Sequence, residues 1–194
     1  MVLAAFYLLL TYLMGALPSG LILTALYTDV DPRQQGSGNI GATNIARTAG
    51  KALAGVTLLL DLLKGLLPVL GGLWLFEESW MRGAVVLAAV IGHCWPVYLE
   101  FKGGKGVATS AGGLLGLLPI PTLGAAAVWA GLFALTKRSS LAALGATLAL
   151  QGLAWWLAPE LLWLTLALAV VLLIRHKDNI QRLARGTEKP LQVS

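Results

Sequence analysis

Three short polar segments hold most of the residues in this chain that could do chemistry. The first is Gly36-Ser37-Gly38-Asn39-Ile40-Gly41-Ala42-Thr43-Asn44, followed by Arg47. The second is Lys102-Gly103-Gly104-Lys105-Gly106, and the third is Arg175-His176-Lys177-Asp178-Asn179. Glycine-exposed amides, hydroxyls, side-chain amides and cations are the groups proteins use to hold phosphate. In the first segment Thr43 or Asn44 would cap a helix whose electropositive N-terminus favours an anion, and Arg47 adds a planar fork for phosphate or carboxylate. An ordinary polar turn is the alternative. In the second segment two lysines among three glycines make a flexible cationic loop, although lysine also snorkels at helix ends. In the third, His176 and Asn179 share one helical face. His176 there could take a proton, orient a hydroxyl or donate to phosphate, or simply pack at an interface.

Several motifs that look familiar do not apply. Gly36-x-Gly38-x-x-Gly41 has the dinucleotide-binding spacing but lacks the preceding strand and βαβ unit that the motif requires. The lysine–glycine loop lacks the G-x-x-x-x-G-K-[ST] order of a nucleotide-hydrolysing loop. A single cysteine, Cys94, excludes an intramolecular disulfide, and beside His93 it reads as a packed thiol. Two histidines without clustered cysteines and carboxylates offer no zinc or iron site, so neither metal nor cofactor is expected.

The elements that must position these segments are membrane helices. Of 194 residues 57% are hydrophobic and 12% charged, and the mean hydropathy is +0.78. Soluble domains carry about 25% charge. We expect one all-α integral membrane domain over 1–194, with cytoplasmic motif segments at about 29–50, 100–106, 137–140 and 175–194. Seven apolar segments predict seven transmembrane helices: about 2–27, 51–75, 81–99, 107–118, 122–136, 141–157 and 160–174. The last four are short. Unbroken, 107–136 and 141–174 would run about 45 and 51 Å against a hydrocarbon core of about 30 Å. Pro119-Ile120-Pro121 and Ala158-Pro159-Glu160 divide them, because proline removes a donor and clashes with the preceding turn. Five longer spans are the alternative.

With seven spans, twelve of the fourteen basic residues fall on one side; Arg82 falls on the other and Lys64 within the second span. The positive-inside rule then puts the N-terminus outside and the C-terminus in the cytoplasm. That bias also explains the net charge of +5 without nucleic acid. The N-terminal apolar run is too long for a cleaved signal and reads as a retained span. Asp61 and Lys64 are spaced to pair on one helical face, since charge inside a membrane is costly. Gly112 and Gly116 have the spacing of a close helix contact. No internal repeat is visible. Phosphate-holding segments gathered at one membrane face suggest an enzyme joining a soluble phosphate compound to a lipid.

The chain resembles the bacterial acyl-phosphate:glycerol-3-phosphate acyltransferases, the PlsY family. The resemblance rests on Ser37-Gly38-Asn39-Ile40-Gly41-Ala42-Thr43-Asn44-x-x-Arg47, on Gly92-His93-x-x-Pro96 through Phe101-Lys102-Gly103-Gly104-Lys105-Gly106-Val107-Ala108-Thr109, and on His176-x-x-Asn179-Ile180-x-Arg182-Leu183-x-x-Gly186-x-Glu188. Asp61-x-x-Lys64-Gly65 is also similar. The resemblance implies transfer of a fatty acyl group from acyl phosphate to the 1-hydroxyl of sn-glycerol 3-phosphate, at the cytoplasmic face of the bacterial inner membrane. It implies Ser37, Arg47, Lys105, His176 and Asn179 around the reacting groups. Gly38, Asn39, Gly41, Thr43, Asn44, Gly103, Gly104, Gly106 and Ser140 would help seat substrate. Asp61, Lys64 and Glu188 would be structural, with Glu188 bracing the loops through a basic partner such as Arg182. The expected partners are the two substrates and membrane lipid, with no obligate protein partner.

Two rivals make distinct expectations. A transporter of organic phosphates needs polar residues through both halves of the membrane, yet the outer half here is almost wholly apolar. An acyl-CoA enzyme would carry an H-x-x-x-x-D pair, but five residues after His93 comes Tyr98 and after His176 comes Gln181.

Overall fold

The computed structural model describes residues 1–191, and its regular structure is helical throughout. Ten α-helices follow one another: α1 (Val2–Gly15), α2 (Ser19–Tyr27), α3 (Ala42–Thr48), α4 (Lys51–Leu75), α5 (Ser79–Cys94), α6 (Val107–Leu117), α7 (Pro119–Thr136), α8 (Ser139–Leu157), α9 (Leu162–Arg175) and α10 (Lys177–Ala184). All seven expected apolar segments are present as helices. Five are long and apolar enough to cross a membrane, counting Val2–Tyr27 as one; α9 and α10 form a pair bent by 66°. At 11 residues α6 is the short one.

The expected boundaries need two corrections. Helices α7 and α8 hold 18 and 19 residues, so both are full-length rather than short. Pro119 and Pro121 lie inside the first turn of α7, where a missing N–H removes no intrahelical bond. Proline there starts a helix, and the expected division of 107–136 falls just before it, at Leu118 between α6 and α7. The first span, expected as one helix over 2–27, is broken at Ala16-Leu17-Pro18. The carbonyl of Leu17 thereby released accepts a hydrogen bond from Lys64 Nζ at 3.0 Å, and that lysine also meets Asp61 Oδ1 at 2.9 Å. The buried pair thus closes the gap that the break opens in the first span.

Helices α4 and α6 pack with their backbones almost touching. A Cβ on Gly112 would overlap the Leu62 carbonyl, and one on Gly65 would overlap the carbonyl of Thr109. Without a hydrophobic drive between helices in lipid, such close approach supplies the packing attraction. Gly116 lies against Val69 on the same seam. Replacing Gly112 by alanine should therefore lower the apparent melting temperature of the detergent-solubilised protein by several degrees, on the scale of the ~1–3 kcal/mol cost of overpacking. A melting curve unchanged from the parent would contradict this reading of the seam.

Around that seam Val69, Val85, Val86, Leu164 and Leu168 are fully or almost fully buried. Leu135, Leu148 and Trp156 remain exposed on the outside of the bundle, as side chains facing lipid do. At the end where α4 finishes, Trp74 and Trp80 are exposed and Arg82 donates to the Phe76 carbonyl at 2.7 Å. The polar segments collect at the opposite end.

Candidate active site

Four local devices build that polar end. The 29–41 loop is folded around Asn44, which lies in α3. Its Oδ1 accepts the Ser37 amide at 2.7 Å, and its Nδ2 donates to the carbonyls of Pro32 at 2.8 Å and Gln35 at 3.1 Å. An Asx turn adds Gly41 N–H to Asn39 Oδ1 at 2.9 Å. The residue before α3 is Gly41, so neither Thr43 nor Asn44 caps that helix. Thr43 instead meets Ser139 at the start of α8, hydroxyl to hydroxyl at 3.1 Å.

The second device holds the lysine–glycine loop. Its Gly104 amide donates to the His93 carbonyl at 3.0 Å. The Arg175 guanidinium donates to the carbonyls of Gly104 at 2.9 Å and Gly103 at 2.7 Å, while lying 5.5 Å from the centre of the Trp95 ring. Arg175 is therefore a clamp on the loop. The two lysines part company: Lys102 is exposed and meets the Glu100 carboxylate at 3.2 Å, whereas Lys105 turns inward, half-buried.

Glu188 makes the third. Its carboxylate accepts from Ser140 Oγ at 2.5 Å, Asn179 Nδ2 at 2.7 Å and Arg182 Nε at 2.6 Å, and its own carbonyl accepts from Arg138 at 2.9 Å. Burial pushes the Glu188 carboxyl up, but the hydrogen bonds from Ser140, Arg182 and Asn179 outweigh it and hold its pKa below the ordinary value. One side chain beyond the last helix thus ties α8 to α10.

The fourth is the turn from α9 into α10. There His176 is buried, with Nδ1 2.8 Å from the Leu172 carbonyl. That contact requires the Nδ1–H tautomer and leaves the lone pair on Nε2. Burial lowers the His176 pKa to about 4, opposed by the Leu172 hydrogen bond and assisted by the charge on Lys105. The ring is neutral at pH 7.

These pieces enclose a cleft of about 150 Å³ lined by Ser37, Asn39, Lys105, Ile174, Arg175, Lys177, Asp178, Asn179 and Arg182. Burial lowers the Lys105 pKa to about 8, with Glu188 opposing the shift and Arg182, Arg47 and Arg175 adding to it. Arg47 does not line the cleft, but it lies within the electrostatic reach of Glu188 and Arg182. Among the described residues, neither the Lys105 ammonium nor the Ser37 hydroxyl nor the Arg47 guanidinium makes a hydrogen bond. An ammonium and a hydroxyl without partners in a polar cleft, with a further cation nearby, are prepared for an anion.

Several residues expected to seat substrate are otherwise engaged. Asn44 is used up in folding its loop, and Ser140 is spent on Glu188. The amides of Gly38, Gly41 and Gly104 all bond inward, to Gln35, Asn39 and His93. Asn179 faces the cleft with its Nδ2 committed to Glu188. These residues shape the cleft; cations and hydroxyls furnish it. Conversely, Arg182 lines the cleft as well as bracing Glu188, a part its spacing three residues after Asn179 could have revealed.

The profile of the family described as glycerol-3-phosphate acyltransferase matches residues 5–186. The chain belongs to the glycerol-3-phosphate acyltransferase family. It is 49% identical over 185 residues to the glycerol-3-phosphate acyltransferase of Azotobacter vinelandii, covering 93% of this chain and 96% of that one. Identity to the corresponding protein of Pseudomonas paraeruginosa is 50% over 186 residues, with the same coverage. The fold is similar to the crystal structure of PlsY, an integral membrane glycerol 3-phosphate acyltransferase, in its glycerol 3-phosphate form. The TM-score is 0.92 at 35% identity, over 97% of this chain and 96% of that one. The lysophosphatidic acid form of PlsY gives a TM-score of 0.90 at 35% identity, over 96% and 94% of the two chains. This chain, too, is an integral membrane protein, and its polar residues converge on the cleft from segments far apart in sequence.

Proposed function

We propose that the protein transfers a fatty acyl group from acyl phosphate to the 1-hydroxyl of sn-glycerol 3-phosphate, at the cytoplasmic face of the bacterial inner membrane. The observation that carries this reading is the convergence of Ser37, Lys105, Asn179 and Arg182 on one small cationic cleft in a membrane chain of this family. Both substrates carry phosphate, which accounts for the excess of cations there. The seven apolar segments cross as seven spans, with the N-terminus outside, and the acyl tail stays among the helices.

In the reaction the acceptor oxygen attacks the acyl carbonyl carbon while its proton leaves. The resulting tetrahedral centre collapses by breaking the bond to the phosphate oxygen, giving lysophosphatidic acid and inorganic phosphate. The mixed anhydride has a good leaving group, so the chemistry needs no coenzyme. Lys105 and the Ser37 hydroxyl meet the developing negative charge, and Arg182 and Arg47 supply positive potential around the phosphates. His176 positions the acceptor by accepting from its hydroxyl at Nε2. A group with a pKa of about 4 is a weaker base than a phosphate monoester, whose second pKa is about 6. The acceptor's own phosphate therefore takes the proton. On this reading His176→Gln raises KM for glycerol 3-phosphate together with any fall in kcat. Loss of turnover with unchanged acceptor affinity would instead make His176 the base.

The deciding assay is phosphate release by the purified protein in lipid, given palmitoyl phosphate with and without glycerol 3-phosphate. Release should require the acceptor, fail with palmitoyl-CoA and collapse in Lys105→Ala. Acceptor-dependent thioester consumption without phosphate release would reassign the donor, and counterflow of glycerol 3-phosphate across a vesicle without turnover would make the protein a transporter.

A further inference from the structure

His93 is buried at the end of α5, and its Nδ1 has no hydrogen-bond partner among the described residues. A buried polar atom left unpaired costs about 1–3 kcal/mol, so its retention asks for a reason. The nearest acidic group is Asp61, whose Oδ1 lies 3.7 Å from that nitrogen, just outside hydrogen-bond range. Asp61 is held in turn by Lys64, and Lys64 by the Leu17 carbonyl at the break between α1 and α2. On its other side the ring meets the lysine–glycine loop. The His93 carbonyl receives the Gly104 amide, and a Cβ on Gly104 would overlap the ring at Nε2, with Cε1 2.7 Å away and Cδ2 2.9 Å away. Gly103 lies as close to the His93 carbonyl and to Pro96. The next residue along the chain is Lys105.

We infer that His93 is a positioning residue for the reaction: oriented by the Asp61–Lys64 pair, its ring is the seat on which the Gly103–Gly104 turn rests and which sets Lys105 into the cleft. This rests on the reading of Lys105 as the cation that serves acyl transfer. It gives one cause to three features otherwise unconnected. A charged pair inside the membrane fixes a ring; the ring demands glycine at the position above it; and Arg175 holds the same turn through both glycine carbonyls. A residue that merely filled space would be apolar, and would not need a carboxylate beside it. The groups that act electrostatically on Lys105 itself are Glu188, Arg182, Arg47 and Arg175, and none of them changes in the variants below.

The test follows the titration of Lys105 directly, by competitive acetylation across pH and mass spectrometry on the protein in nanodiscs, alongside turnover with palmitoyl phosphate. In the parent Lys105 should titrate at about 8. In His93→Gln and in Asp61→Asn the loosened loop returns the ammonium to water, and its titration should move up by more than one unit towards the ordinary lysine value of about 10.4. The kcat/KM for glycerol 3-phosphate should fall on the order of 10²-fold in His93→Gln, the size of effect that a small misplacement produces. Gly104→Ala should do comparable harm alone but add little in a His93→Ala background, where the added methyl finds room. An unmoved Lys105 titration in a folded His93→Gln protein overturns the inference even if activity falls, since a general packing defect would do that. Should His93→Gln fail to fold, the titration in Asp61→Asn decides in the same way. Additive losses in the Gly104 pair would also overturn it. The labelling arm needs no turnover, so an inactive parent would sink the acyl-transfer reading while the titration still judged the positioning role.

Discussion

Lys105→Ala is expected to lower kcat/KM by about 10³-fold, the scale of removing one donor from a developing oxyanion. The ammonium is half-buried, faces the cleft and makes no internal hydrogen bond among the described residues, so the loss should appear in turnover more than in folding. Its lowered pKa gives a second signature. Below about pH 8 the group is charged and can meet an anion; as pH rises through that value the charge is lost. The parent's kcat/KM should therefore fall on the alkaline side near pH 8, and Lys105→Arg, whose charge persists past pH 12, should keep partial activity without that limb. The stability effect runs the other way. A lysine whose folded pKa lies below its unfolded value of about 10.4 disfavours the folded state while both states are charged, and that penalty fades between about pH 8 and 10.4. Lys105→Met should then be inactive yet melt no lower than the parent at pH 7. An inactive variant that also melts well below the parent would show that the ammonium supports the fold instead.

Glu188→Gln is the second large effect. One carboxylate holds Ser140, Asn179 and Arg182, and hydrogen bonds to a charged group contribute about 1.5–3 kcal/mol each. Glutamine keeps the shape but loses the charge and puts a donor against donors. A drop of about 3 kcal/mol, or roughly 6–12 °C in melting temperature for a chain of this size, should accompany a fall in kcat/KM of about 10²-fold as the α10 wall of the cleft drifts. The pH dependence has a definite sign. Because the folded carboxyl is held below its ordinary value, its stabilisation is complete above the unfolded pKa of about 4.3 and fades as pH falls through the folded one. The parent should lose stability on acidification there, and Glu188→Gln should be flatter. Equal acid sensitivity in both would assign the acid limb to another group.

Much of the architecture could be read before the structure because membrane helices are written in long apolar runs. The positions of all seven segments follow from hydropathy, and the pairing of Asp61 with Lys64 follows from the cost of a lone charge in lipid. The breaks at Pro119 and Pro159 are legible too, but nothing in the hydropathy of 2–27 marks the one at Pro18. Pro119 and Pro121 start α7, whereas Pro18 breaks the first span and leaves a carbonyl that Lys64, far away in sequence, reaches together with the Ser19 amide. At the site, residue types named the right neighbourhood but not the division of labour. Asn44, Ser140 and Asn179 have the chemistry to touch phosphate, and so do Ser37 and Lys105. Only the folded contacts show that the first three spend their side chains on Pro32, Gln35 and Glu188 while the last two stay unpaired. Arg175 is the same case: any cation beside a glycine loop reads as a phosphate ligand until its donors are seen on two loop carbonyls.

The placement of the cleft at one end of the helices has a consequence for the bilayer itself. Every turnover would leave a single-tailed, large-headed molecule in the half of the membrane next to the cleft, and none in the other half. New material would therefore enter as a wedge on one side, crowding that leaflet and favouring curvature towards it. Balanced growth of the sheet then depends on a second acylation to even out the shape and on passage of finished lipid across the midplane.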